Sequence, residues 1–379
     1  MSDFKSIFTN RAALRAYAMI GVLAAIWILF HVITPGHTFL TPRNLSNLMT
    51  QTAVTGVIAV GMLMVIVSGQ IDLSVGSIIG FAGGVAAYAM ADMGYSMTAA
   101  IIAAVVMSTA IGLFQGALTA YVNIPSFIVT LGGLLAWRGA AKWLLGGNTI
   151  PISDETFKGI GNANLPIEYG WGVAGLLVVI VLFAAYRRAK STDNENNGGV
   201  GRELLKAALP VAAIVGFFAI MNAWQGVPVP VVIFLCIAFL GVFITRSTVF
   251  GRYLYAIGGN ADAARLSGIN NRWNVLKVFG VLGALTGVAA LIFTARVGSA
   301  LPDAGTLKEL DAIAACVIGG ASLVGGRGTV FGACLGALIM ASLDNGMSLV
   351  GVSDFMQDII KGSILVIAVG LDMAGRKQS

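Results

Sequence analysis

The sequence predicts an all-α, polytopic integral membrane protein forming a single transmembrane domain over residues 1–379, and three observations carry that expectation. Apolar runs near the length of a membrane span recur from one end of the chain to the other. Charge is scarce: 57% of residues are hydrophobic and 11% charged, against about 25% charged in soluble chains. The mean hydropathy is +0.88. Glycine, with 49 residues, exceeds its usual share of about 7%, which suits helices that approach closely through small residues in a bilayer.

The runs lie at 15–34, 45–68, 76–92, 97–121, 125–145 and 170–187, then at 204–222, 228–246, 275–296, 309–325, 329–350 and 355–373. Basic residues orient them. Arg187, Arg188, Lys190, Arg202 and Lys206 mark one cytoplasmic loop, taken as 188–203; Arg246 to Lys277 mark a second; Arg376 and Lys377 mark the tail. Even numbers of crossings separate these markers, so about twelve spans with both termini inside satisfy the rule, and a re-entrant segment would lower the count to about ten or eleven. The N-terminal run after Lys5, Arg11 and Arg15 is longer than a signal-peptide core and lacks a small-residue cleavage site, so it is expected to remain as the first span. Segment 309–325 is interrupted by Gly319, Gly320 and Gly325 and is either a span or a broken, re-entrant helix. The polar stretch 146–168 is expected to be the longest periplasmic loop, with a short helix begun by Ser153 and Asp154.

The most distinctive polar stretch is the cytoplasmic segment 247–274. Within it, Gly258, Gly259, Asn260, Asp262, Ala263, Ala264, Arg265, Leu266, Gly268, Ile269 and Asn270 form a compact pattern. Asn260 is placed to cap a helix, Asp262 falls in its first turn, and Gly268 can close it in the left-handed conformation. Such a helix carries too little apolar area to anchor in lipid. It is either an ordinary loop helix or a knob shaped for a groove on another protein.

Other candidates are fewer. Asp72, beside Ser74, is expected at a membrane end or facing a polar cavity, because a charge at mid-bilayer costs about 2.5–3.5 kcal/mol. It either caps the next helix or stands near a permeation path or gate. Gln51, Phe127 and Thr130 are lesser path candidates, with helical core as the plainer reading. Thr306 and Glu309 have capping-box spacing, so Glu309 and Asp311 are expected to begin a helix near the outer surface. Asp344-Asn345-Gly346 is a turn signal; its acid and amide either end a helix or line a cavity where they bond sugar hydroxyls. Arg138 and Lys142 share a helix face and either snorkel outward or pair with an acid such as Asp154.

Several classes are poorly supplied. The chain has no Gly-Lys dipeptide and therefore no P-loop. Its histidines, His31 and His37, sit near one span end and make neither a metal site nor a nucleophile–base pair, and no cofactor is expected. Cys236, Cys316 and Cys334 sit singly in apolar runs as packed side chains. The net charge of +6 is spread between the spans as a topology signal, with no nucleic-acid footprint.

The coupling stretch 255–270 resembles the segment by which permease subunits of bacterial monosaccharide importers of the ATP-binding-cassette class, the ribose/xylose group, dock on their ATPase. Gly69–Ser77, Ile124–Gly133, Glu309–Gly320 and Met340–Gly346 also resemble that family, and the likeness runs from about residue 40 to the C-terminus. The resemblance implies a non-enzymatic permease of the bacterial inner membrane, embedded in lipid. Its partners would be a separate ATPase subunit, a periplasmic sugar-binding protein and a second permease copy. Its cargo would be a monosaccharide, D-xylose foremost, with arabinose, galactose, glucose or ribose as alternatives. Asp154, Glu155, Lys158, Glu309 and Asp311 become candidates for contact with the binding protein. The rival reading is an ion-coupled secondary sugar transporter, which normally holds acids at mid-membrane; here the acids are expected near span ends. A passive channel or anchoring scaffold would not need the knob.

Overall fold

The computed structural model describes residues 11–191 and 199–376. The predicted loop 188–203 falls partly, and Lys5 and Lys377 wholly, outside the described residues. The apolar runs have become helices, because in hydrocarbon a spanning segment must satisfy its own backbone groups. In chain order these are α1 (Arg11–Ile33), α2 (Pro42–Val67), α3 (Val75–Ala91), α4 (Met97–Tyr121) and α5 (Ser126–Leu144). After a short helix α6 (Glu155–Asn162) come α7 (Ile167–Ser191), α8 (Gly199–Asn222) and α9 (Val229–Ser247). Two short helices, α10 (Val249–Gly259) and α11 (Ala261–Leu266), lead to α12 (Asn271–Val297), α13 (Lys308–Ile318), α14 (Val330–Leu349) and α15 (Asp354–Arg376). Seven of the described helices are both long and apolar enough to cross a membrane.

Helix α2 is the axis of the molecule. It packs against α9, α12, α13 and α14, and 94% of its most apolar window is buried inside the protein. Its 26 residues span about 39 Å, so its two ends report on opposite faces. Thr41 starts it, accepting from Asn44 N at 3.4 Å, and Pro42 takes the first position, where its missing N–H costs nothing. The pairing of α4 with α12 depends on small residues: a Cβ at Gly112 or Gly283 would strike the backbone of Phe279 or Ser108.

Segment 309–325 proves to be a broken element. Helix α13 covers 11 residues, about 16 Å, too short to cross alone. Irregular stretches on either side extend it, and the whole is enclosed by α2, α14 and α15, which is where non-helical backbone can survive at membrane depth.

At the end of α2 away from α10 and α11, the 146–168 segment is fastened by two short antiparallel ladders. Ile150–Pro151 pairs with Ser299–Ala300, and Asn164–Leu165 pairs with Val227–Pro228. Between them Asp154 caps α6, accepting from Phe157 N at 3.0 Å, as the sequence indicates.

Candidate functional site: the coupling end and the buried polar centre

The cytoplasmic knob takes the expected geometry. Asn260 Oδ1 accepts from Ala263 N at 2.9 Å, Asp262 pairs with Arg265 at 3.6 Å, and Gly268 closes the helix at φ +83°. Asn270 caps the next helix, accepting from Trp273 N at 3.0 Å. Ala264 is buried against the body, whereas Leu266 is 84% exposed, an apolar tip directed to solvent. Arg246, Arg252, Arg265, Arg272 and Lys277 gather at this end of the chain, which marks it as the inner face.

A seam of glycines joins the knob to the core, and sequence reasoning did not foresee it. A Cβ on Gly258 would overlap the Val67 carbonyl oxygen at the end of α2 and come within 2.7 Å of Gly326 N. A Cβ on Gly325 would meet Gly258 Cα at 2.9 Å and Gly69 Cα at 3.0 Å. Gly326 N donates to Val67 O at 2.9 Å. Tyr255 Oη donates to Gly328 O at 2.8 Å; burial pushes its phenol above the usual range, opposed by nearby Arg246, which keeps the donor proton in place. Three backbones therefore meet without side chains between them: α10, the end of α2, and the loop after α13. The signal available in the sequence was the set of Gly pairs at 258–259 and 325–326, which read locally as turns.

The polar candidates fall into separate groups. Asp72 is buried, and its carboxylate accepts from Ser74 N and Ser74 Oγ, each at 2.7 Å. It thus closes a turn before α3 without being the cap residue itself, which is Ser74. Ser74 Oγ lies 3.0 Å from Gln115 Oε1. Thr130 Oγ1 donates to Ser126 O at 2.9 Å and lies 3.3 Å from Ile71 O. Gln51 and Phe127 do not join this group; Phe127 is half exposed on the outside of the helical bundle.

Three expectations need correction. The box at Thr306 does not form: Leu307 takes φ +63° at the cap position, while Thr306 Oγ1 donates back to Asp303 O at 2.6 Å. Glu309 and Asp311 are not at the outer surface. Both are buried, 6% and 4% exposed, so neither is open to a binding protein in this conformation. The expected pairing of Lys142 with an acid does form, with Asp303 at 2.9 Å; Asp154 is occupied as a cap, and Arg138 donates to Ala304 O at 2.8 Å. Asp344-Asn345-Gly346 makes no turn, because α14 runs through it to Leu349.

Asp72, Glu309 and Asp311 do lie at or beside helix starts, as expected, whereas Asp344 falls inside α14. Lys361 on α15 lies 3.3 Å from Asp344 and 3.5 Å from Asp311. Lys308 lies 2.7 Å from Asp311 and 3.9 Å from Asp344. This cluster of two lysines and two aspartates ties α13, α14 and α15 together inside the bundle. Mutual neutralisation makes the burial tolerable. Asn345 sits beside it and accepts from Asn44 Nδ2 at 2.8 Å.

Among the described residues no group of His, Cys, Asp and Glu is placed to hold a metal ion. Seven helices long and apolar enough to cross a membrane, with an exposed knob seated on the central helix, define a multi-pass membrane protein. Comparison with known proteins gives the particular family: residues 44–369 match the family described as "Branched-chain amino acid transport system / permease component", and the chain belongs to it. The xylose transport system permease protein of Haemophilus influenzae is 44% identical over 96% of this chain and 98% of its own length. That of Escherichia coli K12 is 43% identical over 97% and 93%. The ribose import permease of Escherichia coli K12 is 35% identical over 96% and 95%. No solved structure matches the chain. The relatives are transport permeases, and this chain is a multi-pass protein of the bacterial inner membrane.

Proposed function

We propose that this chain is the transmembrane subunit of an ATP-binding-cassette importer for a pentose, D-xylose, forming the translocation pathway and drawing energy from a separate ATPase. Family membership and the two xylose permeases at 43% and 44% identity support the cargo. The observation that carries the coupling is the knob of α11, whose exposed Leu266 tip projects from a glycine seam anchored on α2. ATP binding closes the ATPase pair and displaces the knob, and the displacement is delivered to the ends of α2 and of the loop after α13. A conformational change needs differential affinity between two states, and the ATPase interface supplies it. Asp154, Glu155 and Lys158, at the opposite face, receive a sugar-loaded binding protein; Asp72, Ser74 and Thr130 stand near the path. A second copy of the chain completes that path, and the apolar outer faces of α7 and α15 meet lipid.

Reconstitution of the chain with its ATPase and binding protein in vesicles tests this. Uptake of D-xylose should require ATP and survive a proton ionophore. Leu266→Glu, at a side chain 84% exposed on the tip of the knob, should insert normally yet fail to bind or stimulate the ATPase; full coupling in that variant would refute the docking assignment. One observation favours a second reading: the buried Lys308, Asp311, Asp344 and Lys361 cluster is the sort of group that ion-coupled transporters use. That reading predicts uptake by the chain alone, abolished by the ionophore.

A further inference from the structure

A cavity of about 310 Å³ lies at the inner end of the bundle, between the last turns of α9, Tyr255 of α10 and the first residues of α14. It belongs neither to the knob nor to the buried polar groups. Its volume is at the low end of the range of about 300–1,000 Å³ common to small-molecule sites, room for one compact polar group. Arg246, in the last turn of α9, is exposed at this cavity. No Asp or Glu lines it, and the guanidinium has no ion-pair partner among the described residues.

A free guanidinium offers five donors and a positive charge, and at the inner end of a spanning helix it stands at the depth of lipid phosphates. Thr329 adds a donor: its Oγ1 accepts from Gly332 N at 3.1 Å, which leaves the hydroxyl hydrogen to bond elsewhere. Tyr255 Oη is spent on Gly328 O, so one wall of the cavity is fixed to the glycine seam. The remaining surroundings are apolar. Phe239 and Phe243 stand four residues apart on α9, with Arg246 three further, so the three share one helix face; both rings are exposed. Phe331, also exposed, lines the cavity from α14, the helix packed beside α9. An unpaired cation at the head of a strip of aromatic carbon is complementary to a molecule with an anionic head and an apolar tail. A soluble phosphate would use the cation and leave the strip bare.

We propose that this cavity holds the headgroup of an anionic phospholipid of the inner leaflet, its phosphate on Arg246 and Thr329 and its acyl chains along Phe239, Phe243 and Phe331. The inference rests on neither the cargo nor the ATPase, so it is testable on the isolated full chain. The delipidated protein in detergent would be titrated with dioctanoyl phosphatidylglycerol, and separately with dioctanoyl phosphatidylcholine, and the bound fraction read by native mass spectrometry.

The parent should bind the phosphatidylglycerol about tenfold more tightly than the phosphatidylcholine, and Arg246→Gln should remove that preference, as for the loss of one hydrogen bond to a charged group. Arg252→Gln, at an exposed arginine of the same end that does not line the cavity, should leave the preference unchanged. Phe331→Ser should weaken phosphatidylglycerol binding about threefold through lost apolar contact, and it carries the test should Arg246→Gln fail to fold. Equal binding of the two lipids by the parent would refute the anionic assignment. An equal loss in Arg252→Gln would show diffuse surface attraction in place of a site. Displacement of phosphatidylglycerol by millimolar inorganic phosphate, with Phe331→Ser unchanged, would overturn the lipid in favour of a soluble anion.

Discussion

Substituting Gly258 separates a mechanical seam from an ordinary loop contact. An alanine there places a methyl group onto the Val67 carbonyl and within 2.7 Å of Gly326 N, and both obstacles are backbone. Neither can rotate away, so α10 and the end of α2 must part by about an ångström, an overpacking cost of about 1–3 kcal/mol. The parting also stretches the bond from Gly326 N to Val67 O, now 2.9 Å, for about 0.5–1.5 kcal/mol more. The total, about 3 kcal/mol, shifts the balance between joined and parted states on the order of 100-fold. Gly259→Ala is the matched control: its Cβ meets nothing within 4 Å. In vesicles containing the ATPase and binding protein, Gly258→Ala should retain ATPase docking, because the knob's surface is untouched. It should nevertheless lose most sugar uptake and the stimulation of ATP hydrolysis by sugar-loaded binding protein. Gly259→Ala should behave like the parent. Equal activity in the two variants would refute the transmitting role of the seam.

Removing the cap of the knob by Asn260→Ala deletes the acceptor for Ala263 N and should cost about 1 kcal/mol of local helix stability, read as faster amide exchange over 261–266 and weaker ATPase binding. Lys361→Met leaves Asp344 and Asp311 short of a partly buried cation and should destabilise the detergent-solubilised chain by about 1.5–3 kcal/mol; adding Asp344→Asn should recover part of that loss, and an additive double mutant would show the pair is not coupled. Arg138→Met removes the donor to Ala304 O and should lower the melting temperature with little effect on ATPase binding, since it lies away from the inner face.

How far the sequence reveals this molecule depends on the range of the forces involved. Helices written by apolar runs were legible, as was the knob, because capping by Asn260 and the left-handed closure at Gly268 are decided within a few residues of chain. The broken span was legible as an alternative, since Gly319, Gly320 and Gly325 interrupt it. What misled were local signals overridden by distant partners. Asp344-Asn345-Gly346 is a turn by composition, yet Lys361 and Asn44 satisfy its side chains from other helices and Phe30 packs so close to Gly346 that no Cβ would fit. Thr306 and Glu309 have the spacing of a cap, yet the positive φ of Leu307 bends the chain out of register before the helix begins. Lys142 is nearer in sequence to Asp154, but the ladder of Ile150–Pro151 with Ser299–Ala300 holds the stretch after α12 against that segment, which leaves Asp303 within reach. The glycine seam shares this origin: it is assembled from α10, the end of α2 and the loop after α13, which lie far apart in the chain. It closes on α2, whose last residue carries the Val67 carbonyl. A single buried helix of about 39 Å thus joins the face that would receive sugar to the face that would receive the knob's displacement. Substitutions against Val67, at its inner end, should therefore fail in coupling and not in membrane insertion.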